Sequence, residues 1–212
     1  LGPDSDLPAN DPVGCARSGF MFNFGKQPNY AKGGIPDVMA ATSLAFGMTA
    51  ALLAKCRLGV TPYVSTSLLG AMTWLQYFGV ASVMNLGGEF EPWNREKADN
   101  PFVNFYRCAD DKWIMMGLYT DTYWHPSRLC EVFGIQHLQN DPRFSTPEAR
   151  KENSLELTGI LDRAFAEKTS TEWTQLFRDA GLVFSMVNQV ADLPTDTQVV
   201  ANDYIVEFDN KM

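Results

Sequence analysis

A chain of 212 residues, 45% of them hydrophobic, is long enough to bury a substantial core as one or two domains. A formal net charge of -8 and a pI near 4.7 exclude the concentrated basic face that a general nucleic-acid binder needs. The same charge disfavours retention on anionic membranes and is ordinary for a cytoplasmic enzyme.

The chain opens Leu1-Gly2-Pro3-Asp4-Ser5-Asp6, with neither a basic start nor an apolar run, so no secretory signal is expected. Lacking an initiator Met, it reads as a fragment or a processed piece. Residues 1–33 are rich in Gly, Pro and Asn and predict loop with short pieces of structure. Gly33-Gly34-Ile35-Pro36-Asp37 then leads into an apolar helix ending near Lys55. Its apolar residues from Val38 to Leu53 cover nearly every face, which predicts burial in a larger core. Lys55 and Arg57 suit a helix C-terminus, and Gly59 suits the stop. The apolar stretches are about the length of a core helix and are interrupted by Gly, polar or charged residues, so no membrane span is expected.

Tyr63–Ser67 is β-rich and follows Pro62, predicting a short strand. A second apolar helix is expected from Leu68 to Met84. Residues 85–100 carry Gly-Gly, Pro, Trp and mixed charge, and predict a linker or an exposed active-site loop. Beyond Pro101 the texture changes. Phe102–Cys108 and Trp113–Tyr119 flank Ala109-Asp110-Asp111-Lys112 as the arms of a hairpin. Helices are expected around Tyr123–Phe133, from Pro147 to about Lys168, and from Ser170 to Ala180. Thr169 and Glu172 stand at capping-box spacing before the last, with Gly181 as its stop. Leu182–Val187 reads as another strand. Residues 101–190 therefore predict a small α+β domain, and 191–212 a return linker.

Four cysteines (Cys15, Cys56, Cys108 and Cys130) show no zinc-ligand or disulfide spacing and read as reduced, mostly buried thiols. Of the two histidines, His125 suits a helix start, and neither His125 nor His137 adjoins a Ser or Cys nucleophile motif. No dinucleotide fingerprint or phosphate-binding loop is present. Asp37 is the carboxylate of interest, and two readings stand side by side. It is an N-cap, the common use of Asp before a helix. Or it is a nucleophile, kept ionised by the helix N-terminus and stripped of water by apolar surroundings, able to attack an activated acyl carbon. Phe90, Trp93, Trp113 and Trp124 suit either core packing or the lining of an aromatic acyl pocket.

Several blocks in order resemble the class III coenzyme A transferases (the CaiB–BaiF family). They are Gly2-Pro3, Asp11, Ser18-Gly19-Phe20-Met21, Pro36-Asp37 and Gly47-Met48-Thr49-Ala50-Ala51-Leu52-Leu53, then Lys55, Gly59 and Val64-Ser65-Thr66-Ser67-Leu68. Asn100-Pro101-Phe102, Asp110-Asp111-Lys112 and Thr171-Glu172-Trp173 resemble the family's small domain. The likeness covers essentially the whole chain and implies an α/β fold. This chain would be a fragment of it, without the family's N-terminal nucleotide-fold half. Residues 1–84 would be part of the large domain, with buried helices and a short strand, and 85–100 the linker before the small domain.

The resemblance further implies transfer of coenzyme A from an acyl-CoA to a carboxylic acid, with Asp37 catalytic. Gly87 and Gly88 match the loop that closes over the acyl group, though a plain linker turn explains them equally. It implies no metal, no nucleic-acid or membrane partner, a cytoplasmic location and an interlocked homodimer. Related racemases add a His before the Asp equivalent to Asp11. Asn10 stands there and cannot serve as their second acid/base group. The opening Gly2–Pro8 and Asn202-Asp203-Tyr204 resemble enzymes acting on aryl-lactate or 2-hydroxyisocaproate. The alternatives are an α-methylacyl-CoA racemase-type enzyme of the same family, and a truncated, non-catalytic homologue serving as a binding module. The family usually has Gly before its catalytic Asp, where this chain has Pro36.

Overall fold

The computed structural model describes residues 2–88, 90–119 and 126–206. The chain forms two compact units, Leu1–Asn94 and Arg95–Met212.

The first unit is helical. α1 (Asp11–Arg17) is capped by Asn10, whose side chain accepts the N–H of Val13. A single 3-10 turn, Phe20–Phe22, follows. α2 (Ile35–Leu58) runs for 24 residues and ends at Gly59 in the left-handed conformation, where an L side chain is strained. α3 (Leu68–Leu75) is capped by the Ser67 hydroxyl, and α4 (Tyr77–Leu86) continues after one residue. The single helix expected over 68–84 is therefore two. Gln76 breaks it by turning its amide onto the carbonyls of Met72 and Ser18, 3.2 and 3.1 Å away. Its oxygen meanwhile accepts from Asn23.

α1 and α3 both pack on α2 and on each other. Gly14 sits in their midst, where a Cβ would lie 3.1 Å from Pro36 and 3.2 Å from Leu68. Three further expectations for this unit need correction. Tyr63–Ser67 is extended but pairs with no strand among the described residues, because a lone segment has nothing to complete its ladder. It lies along α2 instead, with Val64 Cγ1 only 2.6 Å from where a Cβ on Gly47 would stand. And α2 is not buried on all sides: only Pro36 and Ala40 are, while Phe46 is 78% exposed. By length and composition alone α2 is long and apolar enough to cross a membrane, so the expectation that no segment qualifies does not hold. α3 and α4 likewise expose Trp74, Phe78 and Met84.

The second unit holds the larger core. β1 (Phe105–Arg107) and β2 (Trp113–Met116) form the expected hairpin, with Tyr106 opposite Ile114. β3 (Phe184–Met186) pairs with the other edge of β2, giving an antiparallel sheet in the order β1-β2-β3. Asp111 takes the left-handed conformation in the hairpin turn, which Asp tolerates better than most residues. α5 (Pro126–Phe133) follows; Tyr123, Trp124 and His125 lie outside the described residues. The helix expected from Pro147 is split at Asn153 into α6 (Pro147–Glu152) and α7 (Ser154–Phe165). There the Asn153 side chain bonds the carbonyls of Ala149 and Arg143.

α8 (Ser170–Asp179) starts with the Thr169–Glu172 capping box in place. Its Trp173 and Phe177 meet Phe165 of α7 and Phe133 of α5 with ring centroids 4.8–5.8 Å apart. The Trp173 indole N–H donates to the Phe165 carbonyl. This aromatic cluster backs the sheet through Tyr106, which stacks on Phe165 at 4.8 Å. After β3 the return segment is not featureless: a 3-10 stretch, Val190–Thr195, precedes α9 (Thr197–Ala201), which Asp196 caps.

Candidate active site

The first turn of α2 is built in an unusual way. Its N-cap is Gly34, left-handed and without a side chain to accept hydrogen bonds. Ile35 and Pro36 come next, and Pro36 has no N–H. Asp37 is the third residue of the helix, so the N-cap reading of Asp37 is set aside. Its backbone N–H, the kind of orphan donor that a cap normally satisfies, is instead accepted by Asp11 Oδ2 at 3.3 Å. Asp11 is the first residue of α1 and 8% exposed. Its other oxygen, Oδ1, accepts the Tyr30 hydroxyl at 2.9 Å.

The carboxylate of Asp37 takes no hydrogen bond among the described residues. It projects from the helix end where the macrodipole places partial positive charge. Its side chain is exposed, so the dehydration expected around it is not supplied by the elements of its own unit. Two open grooves run beside α3, one past Thr73, Tyr77 and Met84 and one past Ser43, Tyr63 and Thr66; Asp37 lines neither.

Electrostatics tie the neighbours of Asp37 to Asp11. The Tyr30 phenol is held above its ordinary range, first by its hydrogen bond to Asp11 and then by partial desolvation. Burial raises the Cys15 thiol, and the charge of Asp11 adds to the rise. Cys15, Cys108 and Cys130 are buried and Cys56 is exposed, all as free thiols. Burial lifts Cys108 to about 11, far from a reactive thiolate. Among the described residues no three His, Cys, Asp or Glu side chains gather as a metal site.

The other sequence-predicted residues are placed as follows. Gly87 ends α4 in the left-handed conformation, and around both Gly87 and Gly88 an added Cβ would meet nothing within 4 Å. Phe90 lies against Gly79 of α4, 3.1 Å from where its Cβ would be. Trp93 is half-exposed in the first unit, whereas Trp113 lies on β2 with its ring 5.5 Å from Phe105. Asn10 is occupied as the cap of α1. The residues that sequence reasoning missed as parts of the site are Tyr30 and the bonding role of Asp11. The one available signal was Gly34-Ile35-Pro36, a helix start with no cap of its own.

The family model described as CoA-transferase family III matches residues 1–212. Among curated relatives, the (R)-2-hydroxy-4-methylpentanoate CoA-transferase of Clostridioides difficile is 29% identical over 96% of this chain and 51% of its own length. The cinnamoyl-CoA:phenyllactate CoA-transferase of Clostridium sporogenes is 31% identical over 98% of this chain and 52% of its own. The chain thus spans about half the length of the curated relatives it matches. The crystal structure of Rv3272 from Mycobacterium tuberculosis superposes with a TM-score of 0.82 at 27% identity, covering 97% of this chain and 54% of that one. A CAIB/BAIF family protein from Brucella suis shares the fold with a TM-score of 0.81 at 19% identity, covering 95% of this chain and 53% of that one.

Proposed function

Because this chain belongs to CoA-transferase family III, we propose that it carries the nucleophile of a coenzyme A transferase and that Asp37 is that nucleophile. The observation that carries the reading is the free carboxylate of Asp37 on the first turn of α2, its own N–H already satisfied by Asp11. A carboxylate committed to its own backbone would be a poor nucleophile; this one is not so committed.

The transfer then runs in balanced steps. An Asp37 carboxylate oxygen attacks the thioester carbon of the donor, the carbon–sulfur bond breaks, and coenzyme A leaves as thiolate from a mixed anhydride. The thiolate attacks the aspartyl carbonyl of that anhydride and expels the donor acid, leaving an aspartyl-CoA thioester. The acceptor carboxylate attacks this thioester and releases the thiolate again, forming a second anhydride. Attack of the thiolate on the acceptor carbonyl yields the new acyl-CoA and restores the Asp37 carboxylate. No net proton moves, so no histidine is required.

The names of the relatives, a 2-hydroxy-4-methylpentanoate and a phenyllactate enzyme, support 2-hydroxy acids as the acid substrates. In this reading Gly87 and Gly88 form the loop that approaches the acyl group, supported by the open space around both. The water-poor setting that Asp37 needs comes from covering the exposed apolar faces of α2, α3 and α4 in a full-length homodimer. The unpaired thiols support a cytoplasmic setting.

Hydroxylamine trapping tests the assignment. In a protein of the relatives' full length carrying this chain, acyl-CoA plus hydroxylamine should leave an aspartyl hydroxamate at position 37, read by peptide mass spectrometry. A hydroxamate on another carboxylate, or none during active turnover, removes Asp37 from the role.

A further inference from the structure

Asp11 makes two contacts that ordinary helix capping does not explain. It belongs to α1, yet it serves α2. The first turn of α2 lacks its usual means of satisfaction, since Gly34 has no capping side chain; Pro36 has no N–H and leaves one donor fewer to satisfy. One donor of that turn is the N–H of Asp37, and Asp11 Oδ2 accepts it. The chain passes close over this oxygen at Gly34, whose φ is +69° and where a Cβ would lie 4.0 Å from Asp11 Oδ2. On its far side Asp11 accepts the Tyr30 hydroxyl through Oδ1. One buried carboxylate therefore bonds donors on both its oxygens, and one of those donors is the main chain of the nucleophile itself.

We propose that Asp11 is a positioning residue for Asp37, held in turn by Tyr30, and that it sets where the nucleophilic carboxylate stands relative to the acyl carbon. The proposal rests on the assignment of Asp37 as nucleophile. Two physical consequences follow from the geometry. Asp11 anchors the Cα of Asp37 from a different helix, so the carboxylate is aimed by a cross-helix tie and not only by the α2 backbone. And because the N–H is already bonded, the Asp37 carboxylate is not drawn back onto its own helix end. Both need an acceptor at Oδ2 of residue 11, and the hold by Tyr30 needs a second at Oδ1. An amide has one acceptor oxygen and one NH2, so Asn at this position keeps a single acceptor, loses the charge that strengthens both bonds, and holds Tyr30 only if the hydroxyl turns round to accept. The same contact raises the Tyr30 phenol, so its titration is a readout of the contact that does not depend on turnover.

The test compares Asp11→Asn, Tyr30→Phe and Asp37→Ala with the parent, in a protein of the relatives' full length. The measurements are kcat, KM for the acyl-CoA, the melting temperature and a phenolate difference titration. Misaiming a reacting group by a fraction of an ångström to one ångström costs up to about a hundredfold in rate, so Asp11→Asn should lower kcat about ten- to a hundredfold. KM should change by less than about threefold, since the substrate-binding surface is untouched. Tyr30→Phe should lower kcat by a smaller factor, about three- to tenfold, the scale of one lost hydrogen bond. The Tyr30 titration, isolated in each background by subtracting the matching Tyr30→Phe variant, should lie lower in Asp11→Asn than in the parent.

Asp11→Asn and Tyr30→Phe with kcat within twofold of the parent, beside an inactive Asp37→Ala, would overturn the positioning role and leave the nucleophile standing. So would a loss in Asp11→Asn that merely tracks its folded fraction while Tyr30→Phe is normal. Turnover by Asp37→Ala sinks the nucleophile assignment and the positioning role with it.

Discussion

Asp110 Oδ1 and Oδ2 accept the backbone N–H and the hydroxyl of Ser170 at 2.9 and 2.7 Å. The hairpin turn of the second unit is thereby bonded to the first turn of α8, 60 residues away. These contacts hold the Asp110 carboxyl below its ordinary value of 3.8, first through the Ser170 hydroxyl and then through its N–H. A depressed carboxylate stabilises the fold fully above its unfolded value, and that stabilisation fades as pH falls through the lower folded value. Asp141 and Glu172 are shifted the same way by Arg143 and Thr169. The parent should therefore melt above Asp110→Asn by a constant margin at pH 5–7. The margin should shrink below about pH 4, the unfolded carboxyl range. A margin independent of pH down to acid unfolding would contradict the assignment.

Asp37→Ala removes the attacking oxygen altogether, and Asp37→Asn replaces it with a much weaker nucleophile. Losing a covalent nucleophile should reduce kcat by at least about 10⁴-fold in either case. The fold should survive, because the N–H held by Asp11 is main chain and is kept in both variants. Near-parent circular dichroism with abolished transfer is the expected pair of results; near-normal turnover in either variant counts decisively against the mechanism.

Trp173 is fully buried and its indole N–H is bonded to the Phe165 carbonyl at 3.0 Å. Truncation to Ala leaves a cavity among Phe133, Phe165 and Phe177 and should cost about 3–5 kcal/mol of stability. Trp173→Phe keeps much of the packing but removes the indole donor, leaving the Phe165 carbonyl only its longer bond from the Lys168 N–H at 3.4 Å. Urea unfolding followed by far-UV circular dichroism should place Trp173→Phe between the parent and Trp173→Ala. Equal stability of all three would show that the aromatic cluster is not the core of this unit.

Asn10 offers its side-chain oxygen to Val13 and so caps α1. An amide tied in this way cannot exchange protons at a substrate α-carbon. Incubation of the full-length protein with a branched acyl-CoA in D2O, without any acceptor acid, should leave the α-position unlabelled above the uncatalysed background. Rapid α-deuteration would favour a racemase instead.

Phe46, Trp74, Phe78 and Met84 are each more than two-thirds exposed. Apolar area of this extent on one unit is a surface that asks for a cover. Light scattering should find the full-length protein as a homodimer and the 212-residue chain alone as self-associated species. A monodisperse monomer of the full-length protein at micromolar concentration contradicts the dimer.

The parts legible in the sequence are those whose cause is local. Gly59 stops α2, and Thr169 with Glu172 starts α8, because capping chemistry is written within a few residues of the helix end. The β1–β2 hairpin was likewise legible from two apolar runs around Asp110-Asp111. What stayed illegible has tertiary causes. Nothing at Gln76 resembles a helix breaker; it breaks the helix because Ser18 and Asn23 lie within reach of its amide. Tyr63–Ser67 has strand composition, but composition provides no neighbour. The site divides in the same way. Asp37 drew notice from the residues around it, whereas Asp11 reaches it across 26 residues of chain and is itself held by Tyr30 across 19, a coupling that only the folded molecule brings about.

The close pass at Gly47 has a consequence for how the 60–67 segment threads past α2. The notch left by the missing side chain admits one branched residue, Val64, and the neighbouring turns of the helix offer no second notch of that kind. Sliding the strap by one residue would bring Tyr63 or Ser65 to the notch in place of Val64. The alignment of the strap, and with it the start of α3 at Ser67, is indexed by a single absent carbon.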